Sequence, residues 1–313
     1  MEGALRLVAS VAILSNVPLA LAARITLRKT TLLGAWVWAA FALAVWTLTF
    51  FASEVLGWLS EGAADQAWLA AAVLLICPFV AVLGARRPGS RVWDVFIVAP
   101  LAVVLDLPAV TAWNRDFSPA PLHLEVPMLA GYGLVLLMGT GNYLGTRFVI
   151  PVLLAAVAGL LVPLSMSSLH WLPESFPTRA AATLLLAIAI WTAFLAMRKA
   201  RRGSGGLKPS RIPMREGRVT AVTPFDALWS DFRDLYGIVW ARRVLDRVNV
   251  AATEQNWSVR LQLQGFVATD PSHSLSLTND QLRQIEHTLR WLLRRFADAE
   301  WIDARIVSAG RAV

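Results

Sequence analysis

Cysteine is almost absent from this chain. Cys77 stands alone beside Pro78 inside an apolar run, which excludes a disulfide framework and a cysteine metal cluster. Charge is scarce as well, at 16% of 313 residues. No HExxH, P-loop, CxxC, nucleophile elbow or pair of catalytic carboxylates occurs. The motifs of metalloprotease, NTPase, thiol-redox and serine-hydrolase chemistry are therefore missing. That lowers the expectation of an enzyme, and no cofactor or metal is expected.

What the chain has instead is hydrophobicity. It is 57% hydrophobic with a mean hydropathy of +0.56, more apolar surface than one soluble core can bury. The excess must face lipid. The net charge of +8 is unevenly placed. Residues 1–197 hold ten basic and nine acidic residues, and 219–313 hold eleven of each. Between them, Arg198 to Arg218 carries eight basic residues against Glu216 alone. Such a juxtamembrane strip, with Arg198, Lys199, Arg201 and Arg202 nearest the membrane, reads as a topology signal and a contact to lipid headgroups. No recognition motif or aromatic-rich sheet accompanies it, so no nucleic-acid partner is expected.

A helix needs about 20 mostly apolar residues to cross the hydrocarbon layer. Seven segments approach that length: 5–23, 32–52, 67–85, 93–113, 127–146, 148–169 and 180–197. The first is the weakest, with Ser10, Ser15, Asn16 and Pro18, and its Ala20-Leu21-Ala22 resembles a signal-peptidase site. Retaining it puts Arg24, Arg28 and Lys29, then Arg86, Arg87 and Arg91, then Arg147 and the basic strip on one side. Only Arg6, Arg115 and Arg179 fall on the other. The positive-inside tendency then predicts an N-terminus outside and a cytoplasmic C-terminus in a bacterial inner membrane. Trp58, Trp68, Trp113 and Trp171 near outer ends, and Trp93 near an inner end, read as an interfacial belt. Trp36, Trp38, Trp46 and Trp191 sit deeper. A retinal protein is excluded, since segment 180–197 has no lysine for a Schiff base.

Ionisable groups inside a span are costly, so Asp106, between Pro100 and Pro108, is a substrate-path candidate. Its alternative role is capping backbone that the prolines break. Gly141 and Gly145 form a small-xxx-small pattern for helix packing, with Asn142 available for a polar contact and as a second substrate-path candidate. His123 with Glu125, and His170 with Glu174, share a predicted face, but neither spacing is a metal signature.

The sequence beyond the spans predicts a linker over 198–223 and a soluble domain over 224–313. Apolar residues from Phe225 to Val248 recur at helical spacing, predicting one long amphipathic helix or two joined near Gly237. Trp257 to Leu263 alternate as a short strand, a turn passes through Asp270 to His273, and Thr278 with Gln281 is a capping box opening another amphipathic helix. Trp229, Phe232 and Trp240 are expected in this domain's core or as partner-docking residues.

The run Asp231-Phe232-Arg233-Asp234 with Gly237, Trp240, Arg247 and Asn249, and the ending Leu292-Leu293-Arg294-Arg295-Phe296 with Trp301-Ile302-Asp303, resembles a group of polytopic membrane proteins of planctomycete bacteria. The resemblance covers the C-terminal domain better than the spans. It implies a bacterial inner membrane and no particular chemistry.

The expected fold is thus an α-helical polytopic membrane protein of about seven spans, with a small, mainly helical α+β domain at its C-terminus. The expected function is a non-catalytic subunit of a transport or envelope-assembly complex, with the lipid bilayer and a protein partner on the C-terminal domain. A small-molecule permease using Asp106 and Asn142 is one alternative. A membrane-embedded lipid-modifying enzyme with clustered His123 and His170 is the other.

Overall fold

A computed structural model describes residues 2–113, 121–169, 173, 176–204, 225–269 and 277–310. The chain is mostly helical, with several long apolar helices that could span a membrane and one small sheet. It divides into two compact units, Met1–Arg28 with Leu32–Leu195, and Lys29–Thr31 with Ala196–Val313. Most of the basic linker, the Asp270 to His273 turn, His170, Trp171, Glu174 and the side chains of Lys199, Arg201 and Arg202 lie outside the described residues.

In the first unit, α1 (Glu2–Leu14) and α2 (Asn16–Leu27) break at Ser15. The cause is Pro18, which lacks the N–H that would bond the Leu14 carbonyl. Next come α3 (Leu33–Phe50), α4 (Glu61–Leu83), α5 (Ser90–Trp93), α6 (Ala99–Trp113), α7 (Val126–Gly141), α8 (Val149–Ser165) and α9 (Thr178–Ser204). π-helical turns at Phe51–Val55 and Asp94–Val98 extend α3 and join α5 to α6. Among the described residues, five stretches are long and apolar enough to cross a membrane: Gly3–Leu27, Leu33–Val55, Glu61–Leu83, Ser90–Ala109 and Thr178–Arg198.

The centre is α4, which packs against α3, α6, α7 and α8. Its Ala71 and Ala72 are fully buried, and such small residues let neighbouring backbones approach on every side. The outer helices instead expose large apolar side chains, among them Leu7, Ile25, Leu48, Phe96 and Leu137. The hydroxyl of fully buried Tyr132 lies 3.1 Å from the Ala72 carbonyl oxygen and 2.9 Å from that of Gly159, tying α7 to α4 and α8.

Two helices, α7 and α8, are shorter than the apolar runs that predict them. α8 ends at Ser165. α7 stops at Gly141, and residues 142–148 form turns instead of a helix continuing to 146. Gly145 takes φ +80°, and the Thr146 hydroxyl donates to the Tyr143 carbonyl while accepting from the Phe148 N–H at 3.2 Å. Local partners thus replace the helical ladder. Conversely α4 begins at Glu61, a turn and a half before the predicted 67, and so includes Asp65 and Gln66.

The second unit is built on α10 (Asp226–Glu254), β1 (Val259–Gln262), β2 (Gly265–Ala268), α11 (Asn279–Leu293) and α12 (Ala299–Gly310). α10 is broken at Gly237, where φ +78° is a conformation that side chains with a Cβ resist. The two strands form an antiparallel hairpin with Leu261 opposite Phe266. The Asn249 amide donates to the Leu261 carbonyl and accepts from the Leu261 N–H, pairing the edge of β1 as a strand would. Thr278 and Gln281 form the reciprocal capping box. The core is aromatic: the Phe296 ring lies 5.1 Å from Phe232, 5.2 Å from Tyr236 and 5.1 Å from Trp240. Residues 29–31 belong to this unit. Thr30 bridges Ala297, and the Thr31 N–H donates to the Phe296 carbonyl at 2.8 Å.

Candidate functional site

Charged side chains of the first unit converge at one end of its helix bundle. The π turn after α3 adds one residue to the helical register, rotating the residues beyond it by roughly 100°. Glu54 lies in that turn. Arg179, in the first turns of α9, donates to the Glu54 carboxylate at 3.3 Å and to the carboxylate of Asp65 on α4. Arg6 of α1 donates to the Glu54 main-chain carbonyl at 3.1 Å and sits 3.6 Å from its carboxylate. The second oxygen of Asp65 accepts the Leu122 N–H at 3.0 Å, tying down the segment that leads into α7. Glu54 and Asp65 are 13% and 10% exposed and Arg179 is 25% exposed, whereas Arg6, at 42%, is largely solvated.

This network walls a cavity of about 720 Å³, completed by Glu61, His123, Ser165 and the start of α9. The connection before α7 is held to the end of α8 by the Leu124 N–H donating to the Met166 carbonyl at 2.8 Å. One turn along α4 from Asp65, outside the cavity lining, the bundle interior is aromatic, with Trp46 and Trp68 fully buried. Trp46 and Trp68 meet edge to face at 5.2 Å, Trp46 donates to Thr183 at 3.0 Å, and Trp68 donates to Ser53 at 3.0 Å. The charged residues share the cavity wall with Leu122, Leu164, Met166 and Phe176, a mixture that orients a small molecule through its polar groups while the rest is desolvated.

The sequence-derived candidates lie elsewhere. Asp106 is on α6, and its Oδ1 is buried with no hydrogen-bond partner among the described residues. Asn142 is buried at the C-cap of α7, at the opposite end of the bundle from the cavity. Asp106 is roughly 10 Å from the end of α6 nearest the cavity, and Asn142 roughly 24 Å along α7. The two are therefore at different depths and share no cavity among those described.

Two expectations need correction, and one alternative is decided by burial. A Cβ on Gly141 would meet nothing within 4 Å, and Gly145 lies beyond the helix; the close approach is made by Gly139, whose added Cβ would stand 2.6 Å from the Phe79 Cβ. Of the two readings of Trp229, Phe232 and Trp240, the core one holds and the docking one falls: Trp229 and Phe232 are fully buried and Trp240 is 6% exposed. Trp68 belongs to the bundle interior instead of the interfacial belt, while Trp58 is 76% exposed. Arg198 is exposed on α9. His123 lines the cavity, Glu125 stands at the N-cap position of α7 without a side-chain capping bond, and His170 and Glu174 lie outside the described residues. Among the described residues no group of three His, Cys, Asp or Glu side chains is placed to hold a metal ion.

Sequence reasoning missed Glu54, Asp65 and Arg179 as a set. The available signal was Arg179 as one of few cations on the sparsely basic side, with Glu54 and Asp65 near the ends of apolar runs that enter at the same face. Set against known protein families, curated proteins and solved structures, the chain matches none.

Proposed function

We propose that this chain is a multi-pass protein of the bacterial inner membrane that binds a small polar molecule at the extracytoplasmic end of its helix bundle. The observation that carries this reading is the Glu54–Arg179–Asp65 network walling a cavity of about 720 Å³ in a unit otherwise poor in charge. A buried ion pair is weak evidence for stability, and ionisable groups within a membrane bundle are by default candidates for function.

The orientation rests on the loops. Arg24, Arg28, Arg86, Arg87, Arg91 and Arg147 all lie at the bundle end opposite the cavity, which the positive-inside tendency assigns to the cytoplasm. Seven crossings satisfy that alternation, α7 and α8 being the two short ones. The chain then serves as a non-catalytic binding subunit, within the transport or envelope-assembly role expected from its sequence. A protein partner would use a surface of the second unit other than its buried aromatics.

The test is chemical. With Cys77 replaced by Ala, Ser165→Cys places a thiol on the cavity wall. An impermeant cationic thiosulfonate should modify it in intact spheroplasts. Some member of a panel of amino acids, dicarboxylates, inorganic phosphate and monosaccharides should protect it. An unreactive thiol, or equal reaction with every solute, would refute the reading.

The orphaned carboxylate oxygen of Asp106 favours a second reading, a permease whose path passes α6. It requires that Asp106→Asn abolish uptake or export at normal protein level.

A further inference from the structure

The second unit carries an exposed feature with no role in its fold. Along α11 the buried side is Ile285, Leu289 and Leu293, and the opposite stripe holds Asp280, Arg283, His287 and Trp291, running on to Arg294 and Arg295 beyond the helix end. Trp291 is 45% exposed, a large indole left in solvent. The guanidinium carbons of Arg294 and Arg295 lie 5.6 and 5.3 Å from its ring centre, so two cations stand against one aromatic ring. Arg290, on the flank of the stripe, is committed to Glu286 and Asp303, whose carboxylates raise it above its ordinary value, the Asp303 hydrogen bond most. Among the described residues, Arg283, Arg294 and Arg295 carry no ion pair. The one acid on the stripe, Asp280, is at the far end of the helix, roughly 16 Å from Trp291.

We propose that this end of α11, through Trp291, Arg294 and Arg295, rests on the anionic headgroups of a phospholipid bilayer. Guanidinium forks match phosphate oxygens, and indole is the side chain that settles at the boundary between headgroup and acyl chain. A bilayer fits better than a protein. One indole and a few arginines fall far short of the roughly 800 Å² per partner that a stable protein interface buries. The chain's own helices long enough to span a membrane also keep a bilayer tethered to this unit at high effective concentration. The contact does not depend on what the cavity in the first unit binds.

The test uses the full chain in nanodiscs, with Cys77→Ala and a spin label on His287→Cys. Moving from pure phosphatidylcholine to a mixture rich in phosphatidylglycerol should lower collisions with a water-soluble relaxation agent about twofold or more. Arg294→Glu with Arg295→Glu should remove that protection, and Arg260→Glu, at an exposed position on β1, should leave it. Equal accessibility in both lipids would overturn the proposal. So would protection that survives the double charge reversal, loss of protection in the Arg260 variant, or protection that appears in detergent as protein concentration rises, which would signal a second copy of the chain.

Discussion

Arg179 donates a hydrogen bond to Asp65 across 114 residues of sequence, joining the start of α9 to the start of α4. Neither residue is unusual alone, since a charged group near the end of an apolar run is ordinarily solvated. Together, with Glu54 as the second acceptor, they make an ion network in which each member depends on the others.

Arg179→Leu should therefore destabilise the detergent-purified protein by about 2–3 kcal/mol, because it strands two poorly solvated carboxylates. Arg6→Leu removes a largely exposed partner of Glu54 and should cost no more than about 1 kcal/mol. Thermal unfolding of the two variants measures the contrast, and equal shifts would show that the network is not the anchor.

Glycine substitutions separate close packing from open surface. Gly139→Ala drives a Cβ into Phe79 and should cost about 1–3 kcal/mol, whereas Gly141→Ala meets empty space and should be nearly neutral. Gly84→Ala should be at least as damaging as Gly139→Ala, since its Cβ would lie 2.0 Å from the Trp93 ring. Melting curves in detergent rank all three.

The aromatic core of the second unit should outweigh its surface. Phe296→Ala, which removes a ring touching Phe232, Tyr236 and Trp240, should cost about 3–5 kcal/mol. Trp291→Ala, on the exposed stripe, should change stability by less than about 0.5 kcal/mol in detergent. Chemical denaturation of the full chain, followed by near-ultraviolet circular dichroism, reads both.

Orientation is open to direct labelling because the native thiol is buried. In a Cys77→Ala background, His123→Cys should react with an impermeant maleimide in intact spheroplasts. Arg91→Cys should react only after permeabilisation. The reverse pattern would place the cavity in the cytoplasm.

The helical content, the span-length apolar runs, the Gly237 break and the Thr278–Gln281 cap were legible in the sequence. Each is decided by neighbours within a few residues: lipid-length apolar runs, a glycine where φ is positive, a hydroxyl three residues before an amide. A second strand was allowed for but not located, because Gly265 to Ala268 is short and takes its pairing from β1. The last helix, α12, was missed because it is short, at 12 residues, and takes its place by packing against α10.

What the sequence determined by itself was composition acting over one helix length: a membrane-class unit, a charge-balanced terminal unit and a basic strip between them. What only the tertiary structure decided was which polar groups meet. Asp106 and Asn142 look alike in sequence to Asp65 and Glu54, as isolated polar residues at the margins of apolar runs. The helices bring Glu54 and Asp65 to Arg179 and leave Asp106 and Asn142 at separate depths. The physical reason is that an ion pair needs its partners within a few ångströms, a condition set by the packing of α3, α4 and α9 and invisible along any one of them.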